Sequence, residues 1–324
     1  MPKFSALKQG YCLLILVVVL LSYVLSAAGC GLRAPLGDWK DAGPEAGVKS
    51  DTRIVAKNGE GVGFVPSHPS FITAQELHSY LSFPKEKNYE LNGQIISAVV
   101  PHHLVAGRLI AGVMRELAVQ DPALLVIVGP NHANKGGRII TGYNAWQTPY
   151  GMVAVDQDAV SCLLKTGTAV INEEILASEH SIGALVPFVR YFLPQAKIVP
   201  VILHHGVSLA EVKRLLQVLK PYLDHDAVLI SSVDFSHYLT RSEAQAKDQE
   251  TLRYMQNFDY LTLMRLGNDY LDSPVALVAA FLRAQNKGIS DFTILENTNS
   301  GLLLQNDFIE TTSYFTLVFT EEAK

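Results

Sequence analysis

A chain of 324 residues is long enough for one large domain or two ordinary ones, and its 48% hydrophobic residues can supply a sizeable core. The formal net charge is −5 and the sequence contains no basic block, which argues against a nucleic acid as partner. Two of the three cysteines lie within the first thirty residues, so no intramolecular disulfide is expected in the folded part, where Cys162 stands alone.

The first thirty residues have the layout of an export signal. Lys3 and Lys8 precede an apolar run over residues 12–25, which is shorter than the roughly 20 residues that a spanning helix needs. Small residues then lead to Cys30. This order favours a lipoprotein signal over residues 1–29, with Cys30 lipidated as the new N-terminus. We therefore expect a lipoprotein anchored to the lipid bilayer in a bacterial cell envelope, with a simple cleaved signal or a retained anchor as alternatives.

Residues 30–65 are rich in glycine, proline and charged residues without periodicity, which is typical of a flexible tether. From there to residue 324 the pattern indicates one α/β domain, in which a largely parallel or mixed sheet is sandwiched between helices in three layers. Strands are predicted over 95–100, 124–128, 138–141, 198–203, 227–232, 292–295 and 313–319. Helices are predicted over 73–82, 106–119, 157–165, 209–223, 242–257 and 275–284, with the fifth of them polar and exposed.

Three of the predicted strands end in a polar tip that contains a histidine. His102 follows the first strand, His132 follows the second, and Asp234 and His237 follow the strand over 227–232. Because ligands bind beyond the carboxyl ends of the strands in open α/β sheets, we expect the three tips to share one site.

Histidines that converge from distant parts of a chain can hold a metal ion. A single strand-end histidine is more often structural, but two at equivalent tips favour His102 and His132 as ligands. Two histidines and one carboxylate leave positions open on Fe(II), whereas three protein ligands and a water suit zinc. His237 is a further ligand, a proton carrier or a loop cap.

Other polar residues are expected to orient the ligands rather than to bind metal. Glu179 and His180 precede an apolar segment, and Asp234 lies beside His237. The sequence contains two pairs of adjacent histidines, His102 with His103 and His204 with His205. Only one histidine of each pair is expected to face a shared site, so His103 is not assigned a function, and His204 and His205 are not both assigned one.

Five short motifs occur in an order that resembles the Memo family, whose members are also called AmmeMemoRadiSam system protein B. They are PHHLVAG (101–107), GPNH (129–132), WQTPYG (146–151) followed by VAVD, SEHSIG (178–183) and SSVDFSHY (231–238). The family is similar to the catalytic subunit of class III extradiol ring-cleaving dioxygenases. The resemblance runs from about residue 95 to the C-terminus and implies the extradiol dioxygenase-like α/β fold.

The resemblance implies roles for three histidines. His102 and His132 match the two metal-binding histidines of the family. His237 matches the histidine that transfers protons in the dioxygenases. Two departures stand out, because the family commonly has a small residue at His103 and a glutamate at Gly183.

The third metal position is a cysteine in the animal Memo protein and a glutamate in the dioxygenases, just before a helix that a proline begins. Here the matching segment is 268–274, which has no cysteine. Asp272, or else Asp269, would restore a carboxylate ligand. The alternative for Asp272 is a capping role at the helix that Pro274 begins.

These patterns support two main functions. The first is a dioxygenase-like non-haem Fe(II) protein that acts on a small organic substrate. The second is a protein at the membrane surface that binds iron or copper, or a partner, without turnover; zinc is a further possible metal. A hydrolase built on Ser232 or Ser236 with Asp234 and His237 is a third hypothesis, but crowding a triad into one loop prevents the required alignment.

Overall fold

The computed structural model describes residues 65–82, 89 and 91–322. The expected signal over residues 1–29, Cys30 and nearly all of the expected tether lie outside the described residues. Within these described ranges, none of the helices has the length and hydropathy that crossing a membrane requires.

The described part of the chain contains eleven strands. In chain order they are β1 (Ser67–His68), β2 (Gln94–Val100), β3 (Leu124–Pro130), β4 (Ile139–Thr141), β5 (Ala145–Thr148), β6 (Gly151–Val153), β7 (Val170–Ile171), β8 (Lys197–Leu203), β9 (Ala227–Ser232), β10 (Thr293–Asn299) and β11 (Ser313–Glu321). Eight of them form the main sheet in the order β10-β11-β2-β9-β3-β8-β4-β7, and β1, β5 and β6 form a small second sheet.

The centre of the main sheet is parallel. Strands β2, β9, β3 and β8 pair in parallel, so their carboxyl ends lie at one edge. Strands β11 and β10 continue the sheet antiparallel beyond β2, and β4 pairs antiparallel with β8. The sheet is therefore mixed around a parallel centre, which confirms the predicted class.

The helices connect and cover these strands. They are α1 (Ala74–Leu81), α2 (Gly107–Gln120), α3 (Gln157–Lys165), α4 (Glu173–Ser178), α5 (His180–Gly183), α6 (Val186–Phe192), α7 (Leu209–Leu223), α8 (Arg241–Gln256), α9 (Tyr260–Leu263), α10 (Pro274–Gln285) and α11 (Ser300–Leu304). A turn of 3₁₀ helix over Leu104–Ala106 precedes α2. A capping box of Thr73 and Glu76 starts α1, as their spacing indicates.

Two adjacent serines at the end of β9 show that helices cover both faces of the sheet. Ser231 Oγ donates a hydrogen bond to the carbonyl of Ala276 in α10, at 2.5 Å. Ser232 Oγ donates to the carbonyl of Ser181 in α5, at 2.6 Å. Since successive side chains of a strand point to opposite faces, α10 and α5 lie on opposite sides. The architecture is the expected three-layer sandwich.

Burial explains why the central strands were recognisable in the sequence. Every residue of β3 and of β9 is buried, as a strand covered on both faces requires. Each buried valine, leucine or isoleucine contributes about 1.5–3 kcal/mol relative to an exposed position. The helix expected to be exposed, α8, differs in one respect: it buries Ala244, Asp248, Thr251 and Met255. The other twelve residues of this helix are exposed or partly exposed, as its polar sequence predicts.

Candidate metal centre

The tips that follow β2, β3 and β9 meet at the carboxyl edge of the sheet. The rings of His102 and His132 lie edge to face, with their centroids 5.2 Å apart. Asp234 follows β9, and its Oδ2 lies 3.5 Å from His102 Nε2. Its Oδ1 accepts hydrogen bonds from the amides of His102 and His103. Three neighbouring strands thus bring their tips together, as expected from their parallel order.

A more distant segment adds a second carboxylate to this edge. Phe235 and Leu271 form an antiparallel bridge, and the amide of Asp272 donates to the carbonyl of Asp234 at 3.1 Å. The Asp272 side chain is only 7% exposed, and its Oδ2 lies 3.0 Å from His102 Nε2 and 3.7 Å from His132 Nε2. The cap of α10 is Ser273, whose side chain accepts from the amide of Ala276. The capping alternative for Asp272 is therefore wrong.

The orientation of His102 follows from one serine hydroxyl. Ser232 Oγ has a single proton, which it donates to the carbonyl of Ser181, because a carbonyl can only accept. His102 Nδ1 lies 3.0 Å from the same oxygen and must therefore donate to it. In the neutral ring, Nε2 then has its lone pair directed at the carboxylates. This role of Ser232 was missed in the sequence, where it was considered only as a nucleophile.

Glu179 fixes His132 in the same manner. Its Oε1 accepts from His132 Nδ1 at 2.7 Å, and its Oε2 accepts from the His132 amide at 2.9 Å. Burial would raise the pKa of Glu179, but the hydrogen bond and charge of His132 outweigh it and lower the pKa to about 2. A carboxylate that stays ionised keeps the proton on Nδ1, which leaves Nε2 of the neutral ring free.

With the proton of each neutral ring on Nδ1, three candidate ligand atoms near the strand ends carry no proton. They are His102 Nε2, His132 Nε2 and Asp272 Oδ2, and neither oxygen of Asp272 makes a hydrogen bond within the described residues. Burial lowers the pKa of both histidines, yet the surrounding carboxylates raise the pKa of His102 above its ordinary value and that of His132 to about 10. The cluster therefore attracts positive charge, either as protons or as a cation.

The spacing of one pair of these atoms, His102 Nε2 and Asp272 Oδ2, fits a shared ion. Two ligand atoms that each lie about 2.1 Å from one ion, at a right angle, are about 3 Å apart. The contact between His102 Nε2 and Asp272 Oδ2 is 3.0 Å long but lacks hydrogen-bond geometry. A close approach without a linear hydrogen bond is typical of two ligands to the same metal. Two overlapping groups could hold an ion: His102 with His132 and His180, and His102 with Asp234 and Asp272.

The short helix α5 carries Glu179 as its cap and packs closely on β3. Glu179 Oε1 accepts from the amide of Ser181, and Ser181 Oγ donates to the carbonyl of Pro130. A Cβ at Gly129 would lie 2.6 Å from Ser181 Oγ. The glycine of the GPNH motif thus permits the approach that sets Glu179 beside His132.

His180 lies over the cluster. Its ring stacks on His132 at a centroid distance of 4.1 Å and an angle of 18°, and it is edge-on to His102 at 5.2 Å. Burial, together with the positive charge on His102 and His132, lowers the pKa of His180 to about 4. Its side chain is 42% exposed, so it lies at the solvent side of the centre.

His237 has a different environment from the other site histidines. Its amide donates to the carbonyl of Asn268, its ring lies 5.8 Å from that of Tyr238, and its buried Nδ1 has no hydrogen-bond partner in the described part of the chain. Among the described residues it makes no hydrogen bond or ion pair with His102, His132 or Asp272. Its assignment as a proton carrier stays a prediction.

The remaining candidates point elsewhere. His103 Nδ1 lies 2.7 Å from the hydroxyl of Tyr314, and His103 belongs to neither group that could hold an ion, as expected for one member of a doublet. Asp269 is paired with Lys247 at the surface, at 2.7 Å, and is not at the cluster. His205 Nδ1 lies 2.8 Å from Asn134 Oδ1, outside the two groups that could hold an ion.

The serines of the hydrolase hypothesis also have other partners. Ser232 gives its proton to a carbonyl, and Ser236 Oγ lies 2.8 Å from Ser313 Oγ. Neither hydroxyl bonds to His237, so the structure does not form the proposed triad.

Comparison with known proteins agrees with the motifs and the geometry. A family model described as Memo-like protein matches residues 66–307. The chain belongs to the Memo family. It is 28% identical to a MEMO1 family protein of Methanopyrus kandleri over 233 residues, which cover 68% of this chain and 82% of the relative.

Two further relatives have similar coverage. A MEMO1 family protein of Aquifex aeolicus is 27% identical over 231 residues, which cover 68% of this chain and 84% of the relative. One of Methanosarcina mazei is 32% identical over 219 residues, which cover 64% and 80%. The Memo assignment expected from the five motifs is confirmed.

Both departures from the Memo pattern have structural partners. His103 is bound by Tyr314, a fully buried residue of β11. Gly183 packs against Phe71, and a Cβ there would lie 2.2 Å from the phenyl ring. A glutamate at this position would require Phe71 to move, so glycine and phenylalanine form a matched pair in this chain.

Proposed function

We propose that this protein binds a single metal ion, with Fe(II) as the first candidate, through His102 Nε2, His132 Nε2 and the carboxylate of Asp272. The observation that carries the proposal is the convergence of three ligand atoms whose protons are placed elsewhere or absent. Two histidines and a carboxylate on one face of an ion leave the other positions open. We propose that the open positions accept a small organic substrate in dioxygenase-like chemistry.

The chain's own residues would support such chemistry by fixing geometry. Bound Fe(II) would supply open coordination positions and redox capacity. Ser232 and Glu179 keep a proton on each Nδ1, so that both Nε2 atoms stay available. Asp234 holds the backbone of the first tip through two amides. His180 covers the solvent side.

Metal binding without turnover is the second candidate, and one observation favours it. His237, to which the family resemblance assigns proton transfer, makes no hydrogen bond with the described cluster. A protein that holds iron, copper or zinc and presents it at the membrane surface needs the ligands but no proton carrier. The two candidates share the metal centre and differ in chemistry.

We also propose that lipidated Cys30 anchors the protein to a membrane, because small residues and a cysteine follow the amino-terminal apolar run. Expression with a radiolabelled fatty acid tests this directly. Label should enter the wild type and be absent from Cys30→Ser. Equal labelling of both would refute the lipid anchor, independently of the metal centre.

Metal analysis after anaerobic purification tests the centre. About one Fe(II) per chain is expected in the wild type, and His132→Ala and Asp272→Asn should lose at least tenfold in affinity. Asp269→Asn is the matched control, because this neighbouring aspartate is at the surface with Lys247. Loss of iron in neither site variant would refute the proposed ligands.

Oxygen consumption separates the two candidate functions. The Fe(II)-loaded protein is mixed with a panel of catechol-like compounds, and His132→Ala serves as the inactive control. Substrate-dependent oxygen uptake supports the dioxygenase-like function. Tight iron binding without uptake across the panel supports the binding protein.

A further inference from the structure

His180 is a histidine whose ring is free to turn beside a fixed neighbour. Within the described part of the chain its nitrogens make no hydrogen bond, and its closest charged contact is Glu179 Oε1, 3.7 Å from Nδ1. Its side chain is 42% exposed, which leaves room for a different rotamer. The ring of His132, on which it stacks, is held by Glu179 and cannot turn without breaking the hydrogen bond from its Nδ1.

The distances bring His180 almost within reach of the ion site. One nitrogen of His180 and the ligand atoms of His102 and His132 all lie within 4.8 Å of one another. Two ligands of one ion, each about 2.1 Å from it, can be at most about 4.2 Å apart. The three nitrogens are therefore near the range that one ion requires, and a movement of the His180 ring decides whether its nitrogen enters that range.

The present orientation of the ring keeps His180 off the ion. The lone pair of an imidazole lies in the plane of the ring, and the planes of His180 and His132 differ by only 18°. Two nearly parallel rings stacked at 4.1 Å cannot direct their lone pairs at the same point. Coordination thus requires His180 to leave the stack, and no hydrogen bond opposes this movement.

We propose that His180 is an exchangeable ligand. It turns off His132 to bind the ion at an open position, and it returns to the stack when an external ligand takes that position. This inference rests on the proposed metal centre of His102, His132 and Asp272. It adds a third imidazole to the set and makes His180 an internal competitor of any small anionic ligand.

Competition has a measurable size. An external ligand cannot use a coordination position while His180 occupies it. The apparent affinity of that ligand is therefore proportional to the fraction of time for which the position is free. If His180 occupies the position about nine-tenths of the time, an external anion binds about tenfold more weakly than in a variant without the imidazole. Removing the ring should therefore strengthen anion binding while it removes one nitrogen from the ion.

The test uses Cu(II) as a spectroscopic probe and azide as the external ligand. Electron paramagnetic resonance with nitrogen hyperfine analysis counts the imidazoles on Cu(II) in the full-length wild type, in His180→Ala and in His180→Phe. The phenyl ring preserves the stack on His132 but offers no lone pair. His205→Ala is the control for adventitious binding, because His205 is a histidine outside the cluster.

The expected result is three imidazole nitrogens in the wild type and in His205→Ala, and two in both His180 variants. Azide should displace one nitrogen from the wild type, and it should bind the His180 variants about tenfold more tightly. Two nitrogens in every protein, with unchanged azide affinity, would overturn this inference and leave the metal centre standing. Failure of Cu(II) to bind, together with absence of Fe(II), would overturn both.

Discussion

Glu179 holds His132 at two points, with one carboxylate oxygen on the backbone amide and the other on ring Nδ1, at 2.9 and 2.7 Å. The same carboxylate caps α5 through the amide of Ser181. A single buried side chain therefore sets the position, the rotation and the tautomer of one candidate ligand.

Glu179→Gln should weaken metal binding about 10- to 100-fold, since the NH₂ group of glutamine takes the place of one carboxylate oxygen and cannot accept a hydrogen bond from His132. Chelator competition with Fe(II) measures the change. Glu174→Gln, a change in an exposed glutamate of α4, is the matched control and should bind like the wild type. Equal affinity of all three proteins would show that Glu179 does not control the ligand.

Ser232→Ala should weaken metal binding about tenfold, because His102 Nδ1 loses its acceptor and the ring is no longer held. The change also leaves a buried donor and a buried carbonyl unpaired, which costs about 1–3 kcal/mol of unfolding free energy.

Ser231→Ala is a close control. It removes a buried hydroxyl one residue earlier, on the opposite face of β9, so it should lower stability and leave metal affinity unchanged. A loss of affinity in both variants would point to a general defect in folding.

Gly129→Ala should lower the unfolding free energy by about 1–3 kcal/mol, because the added methyl group would lie 2.6 Å from Ser181 Oγ and would push α5 away from β3. Urea unfolding gives the value. Gly112→Ala makes the same chemical change inside α2, where an added Cβ would meet no atom within 4 Å apart from the neighbouring backbone of its own helix. It should raise stability by about 0.5–1 kcal/mol, because alanine loses less entropy than glycine in a helix. The two changes are thus expected to have opposite signs.

Asp248 should make stability fall as the pH rises from about 4 to 6. Its oxygens accept from Ser313 Oγ and Asn297 Nδ2, but burial outweighs these hydrogen bonds and raises the pKa from 3.8 to about 6. In that window the folded state retains a proton that the unfolded state has lost, so folding becomes less favourable with increasing pH. The full effect amounts to at most about 3 kcal/mol at neutral pH.

Urea unfolding of Asp248→Asn at several pH values tests this expectation. Relative to the wild type, the variant should gain up to about 3 kcal/mol in unfolding free energy between pH 4 and pH 7. Asp291→Asn, at an exposed aspartate, is the control for removing one carboxylate. If the difference between Asp248→Asn and the wild type did not change with pH, the raised pKa of Asp248 would be refuted.

The central strands could be predicted because local sequence determines them. The apolar run before His132 is buried along its whole length, and strands of this kind leave a continuous hydrophobic pattern. Placing His102 and His132 at one edge needed only the rule for parallel strands. The strands β1, β5, β6 and β7 were not predicted, because two to four residues rarely show a strand pattern; of the similarly short strands only β4 was predicted.

The third ligand position depended on tertiary contacts. Asp272 reaches the cluster because Leu271 bridges to Phe235, and no periodicity in the sequence encodes that pairing. The choice between Asp272 and Asp269 was therefore left open in the sequence. The structure places Asp272 beside His102, and it pairs Asp269 with Lys247 at the surface. The stacking of His180 on His132 is likewise a product of the turn between α4 and α5.

The wide separation of the three ligand atoms along the chain affects when a cation can be acquired. His102, His132 and Asp272 come together only once β2, β3 and the segment before α10 are in place, so an unfolded chain holds no comparable site and loading follows folding. Any cation bound then adds to the stability of the native state. If the chain crosses a membrane unfolded, as proposed from its amino-terminal segment, the proposed ion would come from the compartment that the chain enters and not from the one in which it was made.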